Sequence, residues 1–260
     1  MPPLESYSLA ELWFCTFGVV TAVSLLSTGF GVAFERLLAK RTRIWSLPVP
    51  RTQGRHEGLA YLRFNLLLAT CALPFLSFGW IRFGAEGPAA IALTFMAIWT
   101  GFEVYYYILH RSLHSHLLYR FHAYHHESRV TTAWTGQSLS VVESLGWIAG
   151  LLVLPSLLSL WAPISWAGFL VYFAANTFVN LAGHANFEMN PVSARGATWL
   201  VHPWLYHALH HARFKNHYSF ASTFMDRLFG TEWQDWPELH GRVVAGEPLG
   251  QFEERGAAER

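Results

Sequence analysis

Long apolar stretches alternate with short polar segments along this chain. Five of the stretches have the length of about 20 residues that a bilayer-spanning helix requires. They cover residues 9–33, 59–81, 88–109, 141–161 and 164–182. Ala162 and Pro163 separate the last two and predict a turn, so we expect a helical hairpin there. The pattern predicts an all-α, polytopic membrane protein with four to five transmembrane helices in a single domain, whereas a soluble protein with buried helices rarely has stretches this long.

The composition agrees with a membrane protein and excludes several other classes. Of the 260 residues, 52% are hydrophobic and only 13% are charged, which is about half the charged share of a soluble globular domain. The net charge of +1 lacks the basic surplus that is typical of nucleic-acid-binding proteins. The two cysteines, Cys15 and Cys71, both lie in apolar stretches, which excludes a disulfide scaffold and a cysteine-based metal site.

The basic residues indicate how the chain is oriented in the membrane. If the five stretches alternate in direction, every one of the 18 lysine and arginine residues except Arg82 falls on the same side. The positive-inside rule assigns that side to the cytoplasm. Residues 1–10 carry no lysine or arginine and so lack the basic region of a cleaved signal peptide. We therefore expect the N-terminus to lie outside.

Eight of the 14 histidines form three clusters on the predicted cytoplasmic side. The first cluster has the pattern HxxxH and the other two have the pattern HxxHH. Their members are His110 and His114, then His122, His125 and His126, and finally His207, His210 and His211. At this histidine frequency chance gives about 0.04 copies of HxxHH, and two occur. Residues at i, i+3 and i+4 share one face of a helix, so each cluster can direct its imidazoles towards one point.

This number of histidines predicts two metal ions, because eight ligands are too many for one ion of four- to six-fold coordination. Imidazole-only sites suit iron, copper, zinc or nickel. The fifth apolar stretch adds a polar stripe at four-residue intervals, formed by Asn176, Asn180 and His184. We interpret His184 as a further ligand and Asn180 as a residue that supports it, with hydrogen bonding between helices as the alternative.

Glu103 is a further candidate, because it lies seven residues before His110 and on about the same helical face. A carboxylate at this position can orient a ligand or line a proton path. Helix packing is the alternative role. The sequence therefore names Glu103 as a residue that supports the metal site, without deciding between these roles.

The three histidine clusters and the later segment DRLFGT at residues 226–231 resemble the fatty acid hydroxylase superfamily, also called the sterol desaturase family. The resemblance covers about residues 95–236 and marks them as the catalytic region. It implies a non-haem di-iron centre in a cytosolic, histidine-rich helical cap, which uses O2 to hydroxylate or desaturate a lipid such as a sterol or a fatty acyl chain. The implied iron ligands are His110, His114, His122, His125, His126, His184, His207, His210 and His211.

Two positions depart from the pattern of the family, and the electron donor must be separate. Where members usually carry Asn-Tyr-Gly, this chain has His217-Tyr218-Ser219, so His217 is a candidate tenth ligand or a residue that supports one. Met225 stands where a tryptophan often precedes the aspartate of DRLFGT. Because the sequence contains no recognisable haem-binding segment, we expect electrons from cytochrome b5, a ferredoxin or a similar carrier.

Two other functions use the same histidine clusters. A zinc-dependent membrane enzyme is one, although neither an HExxH nor a GxSxG motif is present to supply a base or a nucleophile. A metal transporter is the other, although its histidines are expected along the spans and here only His184 approaches a span. The leading prediction is an O2-dependent di-iron lipid hydroxylase or desaturase.

Overall fold

The computed structural model describes residues 6–189 and 198–256. In this part of the chain nine α-helices follow one another without a β-strand. They are α1 (Leu9–Thr42), α2 (Gln53–Ser77), α3 (Pro88–Leu113), α4 (Tyr119–His122), α5 (Val141–Trp161), α6 (Trp166–Ala182), α7 (Trp204–Arg213), α8 (Phe224–Phe229) and α9 (Trp236–Val244). Two short 3-10 helices, His125–Glu127 and Thr135–Gln137, lie between α4 and α5. The predicted all-α class is confirmed.

Four helices, α1, α2, α3 and α5, are long and apolar enough to cross a membrane. Helix α6 has 17 residues, which rise about 26 Å and so fall slightly short of the ~30 Å hydrocarbon core. The prediction of four to five spans is therefore confirmed, and these helices identify a membrane protein. Arg195, Arg260 and residues 1–5, which entered the prediction of topology, lie outside the described residues.

The helix ends differ from the predicted boundaries where polar residues continue a helix. Helix α1 ends at Thr42, nine residues beyond the apolar stretch, and α2 begins at Gln53, six residues before its stretch. Hydropathy marks the part of a helix that contacts lipid, whereas polar residues with good helix propensity extend it into the polar region. Ser8 fixes the start of α1, because its hydroxyl accepts the Glu11 N–H while the Glu11 carboxylate accepts the Ser8 N–H.

Small residues allow the spanning helices to pack closely. Helix α1 packs against α2 and α6, and α3 packs against α5 and α6. At Gly168 of α6, a Cβ atom would lie 2.7 Å from the carbonyl oxygen of Ile91 and 2.8 Å from Cβ of Thr94. Without a hydrophobic driving force between helices in lipid, close contact of this kind supplies much of the attraction. Gly168 therefore sets the distance between α3 and α6.

A helical cap covers one end of the bundle and contains α4, α7, α8, α9 and the two 3-10 helices. The segment after α1 joins it through a pair of hydrogen bonds, in which the Trp45 N–H donates to Oδ1 of Asn186 at 2.8 Å and Nδ2 of Asn186 donates to the Trp45 carbonyl at 3.0 Å. Trp45 is fully buried together with Phe187 and Trp236 in a second hydrophobic core. The cap is thus fixed at the end of the bundle where α1, α3 and α6 terminate.

We expect Gly168→Ala to lower the free energy of unfolding by about 1–3 kcal/mol, because the added methyl group would meet the backbone carbonyl of Ile91. Thermal unfolding in detergent, followed by circular dichroism, measures the change. Gly58→Ala on α2 is the matched control, since nothing lies within 4 Å of that Cβ position. Equal unfolding temperatures for the two variants would show that α3 and α6 are not in close contact.

Candidate metal centre

Nine histidines converge in two adjacent groups where the cap meets the bundle. Within each group the ring nitrogens available as ligands all lie within 4.8 Å of one another. The first group contains His110, His114, His122, His126 and His210, and the second contains His125, His184, His207 and His211. These are the nine histidines that the resemblance named, and each group could hold one metal ion.

Each HxxHH cluster contributes to both groups. Its first and third histidines join one group and its middle histidine joins the other. In the first cluster the pair His122 and His126 joins the first group, and in the second cluster the pair His207 and His211 joins the second group. On α7 residues four apart share a face, and His210 lies at the edge of that face. Helix α7 therefore contributes histidines to both groups.

Hydrogen bonds at Nδ1 fix six of the nine rings. The acceptors are Tyr218 O for His110 (3.0 Å), Glu143 Oε1 for His122 (2.6 Å), Ser138 O for His125 (3.3 Å), Asn180 O for His184, Asn216 O for His210 (2.6 Å) and Ser128 O for His211 (3.1 Å). Carbonyl oxygens only accept, and Oε1 of Glu143 also accepts from Nε1 of Trp147, so Nδ1 carries the hydrogen in each ring. The lone pair of Nε2 is then free, which is the tautomer of a metal-ligating histidine.

The Nε2 atoms that face one another inside the first group are closer together than neutral imidazoles can explain by hydrogen bonds alone. Nε2 of His126 lies 3.1 Å from Nε2 of His122 and 3.1 Å from Nε2 of His210. Since His122 and His210 keep their hydrogens on Nδ1, His126 can donate to only one of them. In the described part of the chain, Nε2 of His110 and Nε2 of His211 are buried without a hydrogen-bond partner. Cations bound by these lone pairs would remove both problems, so the donor set fits metal ions.

Burial keeps these imidazoles neutral. Desolvation holds the pKa of His122, His207 and His211 well below the usual value and lowers the pKa of His114 and His184 to about 4. The neutral imidazole is the form that binds a metal. At neutral pH the site therefore presents its ligands without first losing protons.

The comparison with known families agrees with this geometry. The sequence model of the family described as "Fatty acid hydroxylase" matches residues 95–231, which is more than half of the chain. The chain belongs to the fatty acid hydroxylase family. The family that the histidine clusters predicted is thereby confirmed.

Several curated proteins are similar to this fatty acid hydroxylase family member. "Very-long-chain aldehyde decarbonylase CER1" of Arabidopsis thaliana is 34% identical over 196 residues, which cover 72% of this chain and 29% of that protein. "Very-long-chain aldehyde decarbonylase GL1-6" of Oryza sativa subsp. indica is 33% identical over 153 residues, covering 55% of this chain and 24% of the relative. The chain thus spans less than a third of the length of these relatives. No solved structure matches the chain significantly.

Glu143 on α5 supports the first group of histidines, and the sequence reasoning missed it. Its Oε1 accepts a hydrogen bond from Nδ1 of His122 at 2.6 Å and another from Nε1 of Trp147 at 3.2 Å. A carboxylate behind a ligand histidine fixes the ring and raises its basicity. The signal was present in the sequence, since a glutamate three residues into an apolar helix is costly unless it has a function.

Asp226 explains why the DRLFGT segment accompanies the histidines. Its Oδ1 accepts hydrogen bonds from the Tyr218 N–H at 2.9 Å and the Thr231 hydroxyl at 2.7 Å, while Oδ2 accepts one from the Ser219 N–H at 2.9 Å. This loop carries the Tyr218 carbonyl that accepts from Nδ1 of His110. Asp226 therefore positions a histidine ring without approaching the metal groups itself.

Glu57 holds the segment after the first HxxHH cluster in place by hydrogen bonds, as Asp226 holds the loop at Tyr218. Its Oε1 accepts hydrogen bonds from the hydroxyls of Ser128 at 2.8 Å and Thr135 at 2.5 Å, and Oε2 accepts one from Thr132 at 2.8 Å. The carbonyl of Ser128 in turn accepts from Nδ1 of His211. A single buried carboxylate on α2 thus anchors the loop that orients a histidine of the second group.

Glu103 and Asn180, which the sequence named as supporting residues, lie outside both groups. The Glu103 carboxylate accepts the Ala221 N–H at 3.0 Å and so ties α3 to the segment before α8. The Asn180 side chain donates to the Gly136 carbonyl at 2.8 Å, and only its backbone carbonyl reaches Nδ1 of His184. Asn180 therefore contacts His184 through its backbone, and the hydrogen bond of Glu103 joins two segments of the chain, as its alternative role of helix packing predicts.

His217 is not a ligand in this structure, because the backbone uses both of its ring nitrogens. Nδ1 donates to the Tyr206 carbonyl at 2.8 Å, and Nε2 accepts the Trp233 N–H at 3.0 Å. Desolvation by burial lowers the pKa of His217 to about 3, so the ring stays neutral. The candidate tenth ligand is thus a structural residue that links α7 to the segment before α9.

We expect Glu143→Leu to weaken metal binding by the first group roughly tenfold to a hundredfold, because the Nδ1 hydrogen of His122 would lose its acceptor. Titration of the metal-loaded protein with a competing chelator measures the affinity. Glu127→Leu is the control, since the Glu127 side chain is 62% exposed and its carboxylate lies 3.1 Å from Nδ1 of His56, which is in neither group. If both variants bound metal as the original protein does, Glu143 would have no part in the site.

Proposed function

We propose that this protein is an integral membrane enzyme that uses two non-haem iron ions and O2 to oxidise a lipid. The observation that carries the proposal is the convergence of nine histidines into two groups at one end of a transmembrane bundle. Membership of the fatty acid hydroxylase family favours iron among the metals that imidazole suits. When bound, the metal pair would supply the activation of O2.

The residues around the two groups support an oxidation that excludes water. A pocket of about 40 Å³ touches His122 of the first group and His125 of the second. Aromatic side chains form much of its wall, namely Phe64, Phe102, Tyr106, Trp147 and Phe220. Such a wall keeps water from competing with a substrate for the reacting centre. The pocket is therefore the place where we expect the reacting carbon of the lipid.

Hydroxylation or desaturation is the reaction that we propose first. Aldehyde decarbonylation is the second candidate, because the similar curated proteins carry that name. We further propose that the histidine groups face the cytoplasm, as the basic residues indicate, and that the N-terminus lies outside. Electrons would then come from a cytosol-facing donor such as cytochrome b5 or a ferredoxin.

We expect about two iron ions per chain in the purified protein, because each group of histidines suits one ion. Plasma mass spectrometry measures the metal, and Mössbauer spectroscopy tests whether the two irons are coupled. His110→Ala and His125→Ala should each lower the metal content, since they remove a ligand from the first and the second group. His116→Ala, at an exposed position in neither group, should keep both ions. Two zinc ions that iron cannot replace would contradict the proposal.

We expect the iron-loaded protein to consume O2 only when a lipid and a reductant are both present, because the lipid supplies the reacting carbon. Mass spectrometry of the product identifies the reaction: an added oxygen indicates hydroxylation, loss of two hydrogens indicates desaturation, and loss of the terminal carbon indicates decarbonylation. His210→Ala should abolish turnover while the helix content remains. Metal movement across vesicles without O2 consumption would favour a transporter.

A further inference from the structure

A large apolar cavity lies inside the membrane-spanning part of the bundle, away from the histidines. It has a volume of about 330 Å³ and lies between α1, α2, α5 and α6. Its wall includes Val20, Leu68, Ala72, Leu152 and Phe173, and none of the nine histidines lines it. The volume is in the range of small-molecule sites, about 300–1,000 Å³. The cavity is therefore large enough for a ligand and is distinct from the metal centre.

The cavity adjoins the pocket that lies beside the histidines, and the same faces of α2, α5 and α6 line both spaces. Leu151 of α5 is part of both walls. On α2, Phe64 lines the pocket and Leu68, four residues later, lines the cavity. On α6 the lining runs from Asn180 at the pocket to Trp166 in the cavity, a rise of about 21 Å. Residues four apart share a helix face, so the two spaces are stacked along one path.

The end of this path beside the histidines is polar and narrow. Asn176 is 6% exposed and lines the pocket, and its Nδ2 has no hydrogen-bond partner among residues 6–189 and 198–256. Oε2 of Glu143, also in the pocket wall, lacks a partner as well. A buried amide hydrogen without an acceptor is unfavourable, and an oxygen atom of a ligand would satisfy it. With a volume of about 40 Å³, the pocket is narrow and has room for only a few heavy atoms.

We propose that a single aliphatic chain with an oxygen on its terminal carbon occupies this path. Its oxygen accepts a hydrogen bond from Nδ2 of Asn176, its terminal carbons lie beside His122 and His125, and its tail fills the apolar cavity beyond Leu151. The assignment rests on the proposed function and adds to it the orientation of the substrate and the site of its tail.

Photo-crosslinking locates the tail without requiring turnover. The probe is a sixteen-carbon primary alcohol with a diazirine at the far end, added to the full-length, metal-loaded protein in nanodiscs without O2. After illumination and digestion, mass spectrometry should find the probe on buried residues that line the cavity from α1 or α6, such as Val20 or Phe173. Crosslinks only on lipid-facing residues such as Leu62 and Leu66 of α2 would overturn the proposal.

Leu151→Trp tests whether the tail passes between the pocket and the cavity. The larger side chain should reduce crosslinking in the cavity about tenfold, which corresponds to ~1.4 kcal/mol of binding free energy. Leu157→Trp, at a position of α5 that is 52% exposed to lipid, is the matched control and should leave crosslinking unchanged. If Leu151→Trp unfolds the protein, Ala72→Phe narrows the cavity from α2 instead. Undiminished crosslinking in a folded variant would overturn the proposal.

Asn176→Leu tests the polar end, because it removes the amide with little change of volume. It should weaken binding of the alcohol probe roughly fivefold, the usual effect of one hydrogen bond, and leave binding of the corresponding alkane probe unchanged. Equal effects on both probes would contradict the role of Asn176. A phospholipid that copurifies and that the alcohol cannot displace would show that the cavity holds bilayer lipid instead.

The outcomes separate this proposal from the proposed function. Two coupled irons and O2-dependent lipid oxidation, combined with crosslinks outside the cavity, would leave the oxidation in place and refute the tail site. Crosslinks in the cavity of a protein that binds only zinc would support the tail site and refute the proposed oxidation.

Discussion

The crowding of neutral imidazole lone pairs is the constraint on which the rest of the structure depends. Nε2 atoms of different rings approach to 3.1 Å in the first group, and His184 and His207 approach to 2.9 Å in the second. Neutral rings do not gather in this way unless something holds each one from behind. Carbonyl oxygens and the Glu143 carboxylate do so by accepting the Nδ1 hydrogens, and Asp226 and Glu57 hold the loops that supply carbonyls. Three buried carboxylates thus maintain a cluster whose lone pairs suit metal cations.

The bundle and the cap supply different parts of the histidine site. The cap supplies most of the histidines and the loops that orient them, whereas the bundle supplies His110, Glu143 and the apolar path along α2, α5 and α6. The two histidine groups thus lie where the cap meets the membrane-spanning helices, which is the position that the proposed oxidation of a lipid requires. Gly168 and Gly136 keep neighbouring segments close enough for this arrangement.

The residues that line the cavity and the pocket argue against a metal transporter and a hydrolase. A transporter needs a polar path through the membrane, but the space that leads away from the histidines is lined by leucine, valine and phenylalanine and is unsuited to ions. A hydrolase needs a base beside its metal, whereas Glu143, the carboxylate in the wall of this pocket, is already engaged by Nδ1 of His122 and Nε1 of Trp147. An apolar path that ends at two imidazole-rich groups matches oxidation of a hydrocarbon chain.

The sequence by itself determined the helical membrane class, the family and the nine histidines, because apolar length and i, i+4 spacing are local properties of a chain. It could not decide how the histidines divide into groups, since each HxxHH cluster serves both groups and only the packing of α7 against the first cluster shows which ring meets which. Tertiary structure also decided the roles of Glu143, Asp226 and Glu57, whose partners lie far along the chain or in other elements. His217 is the clearest case: it stands where the family usually carries asparagine and was therefore a candidate ligand, but backbone groups of distant segments engage both of its ring nitrogens.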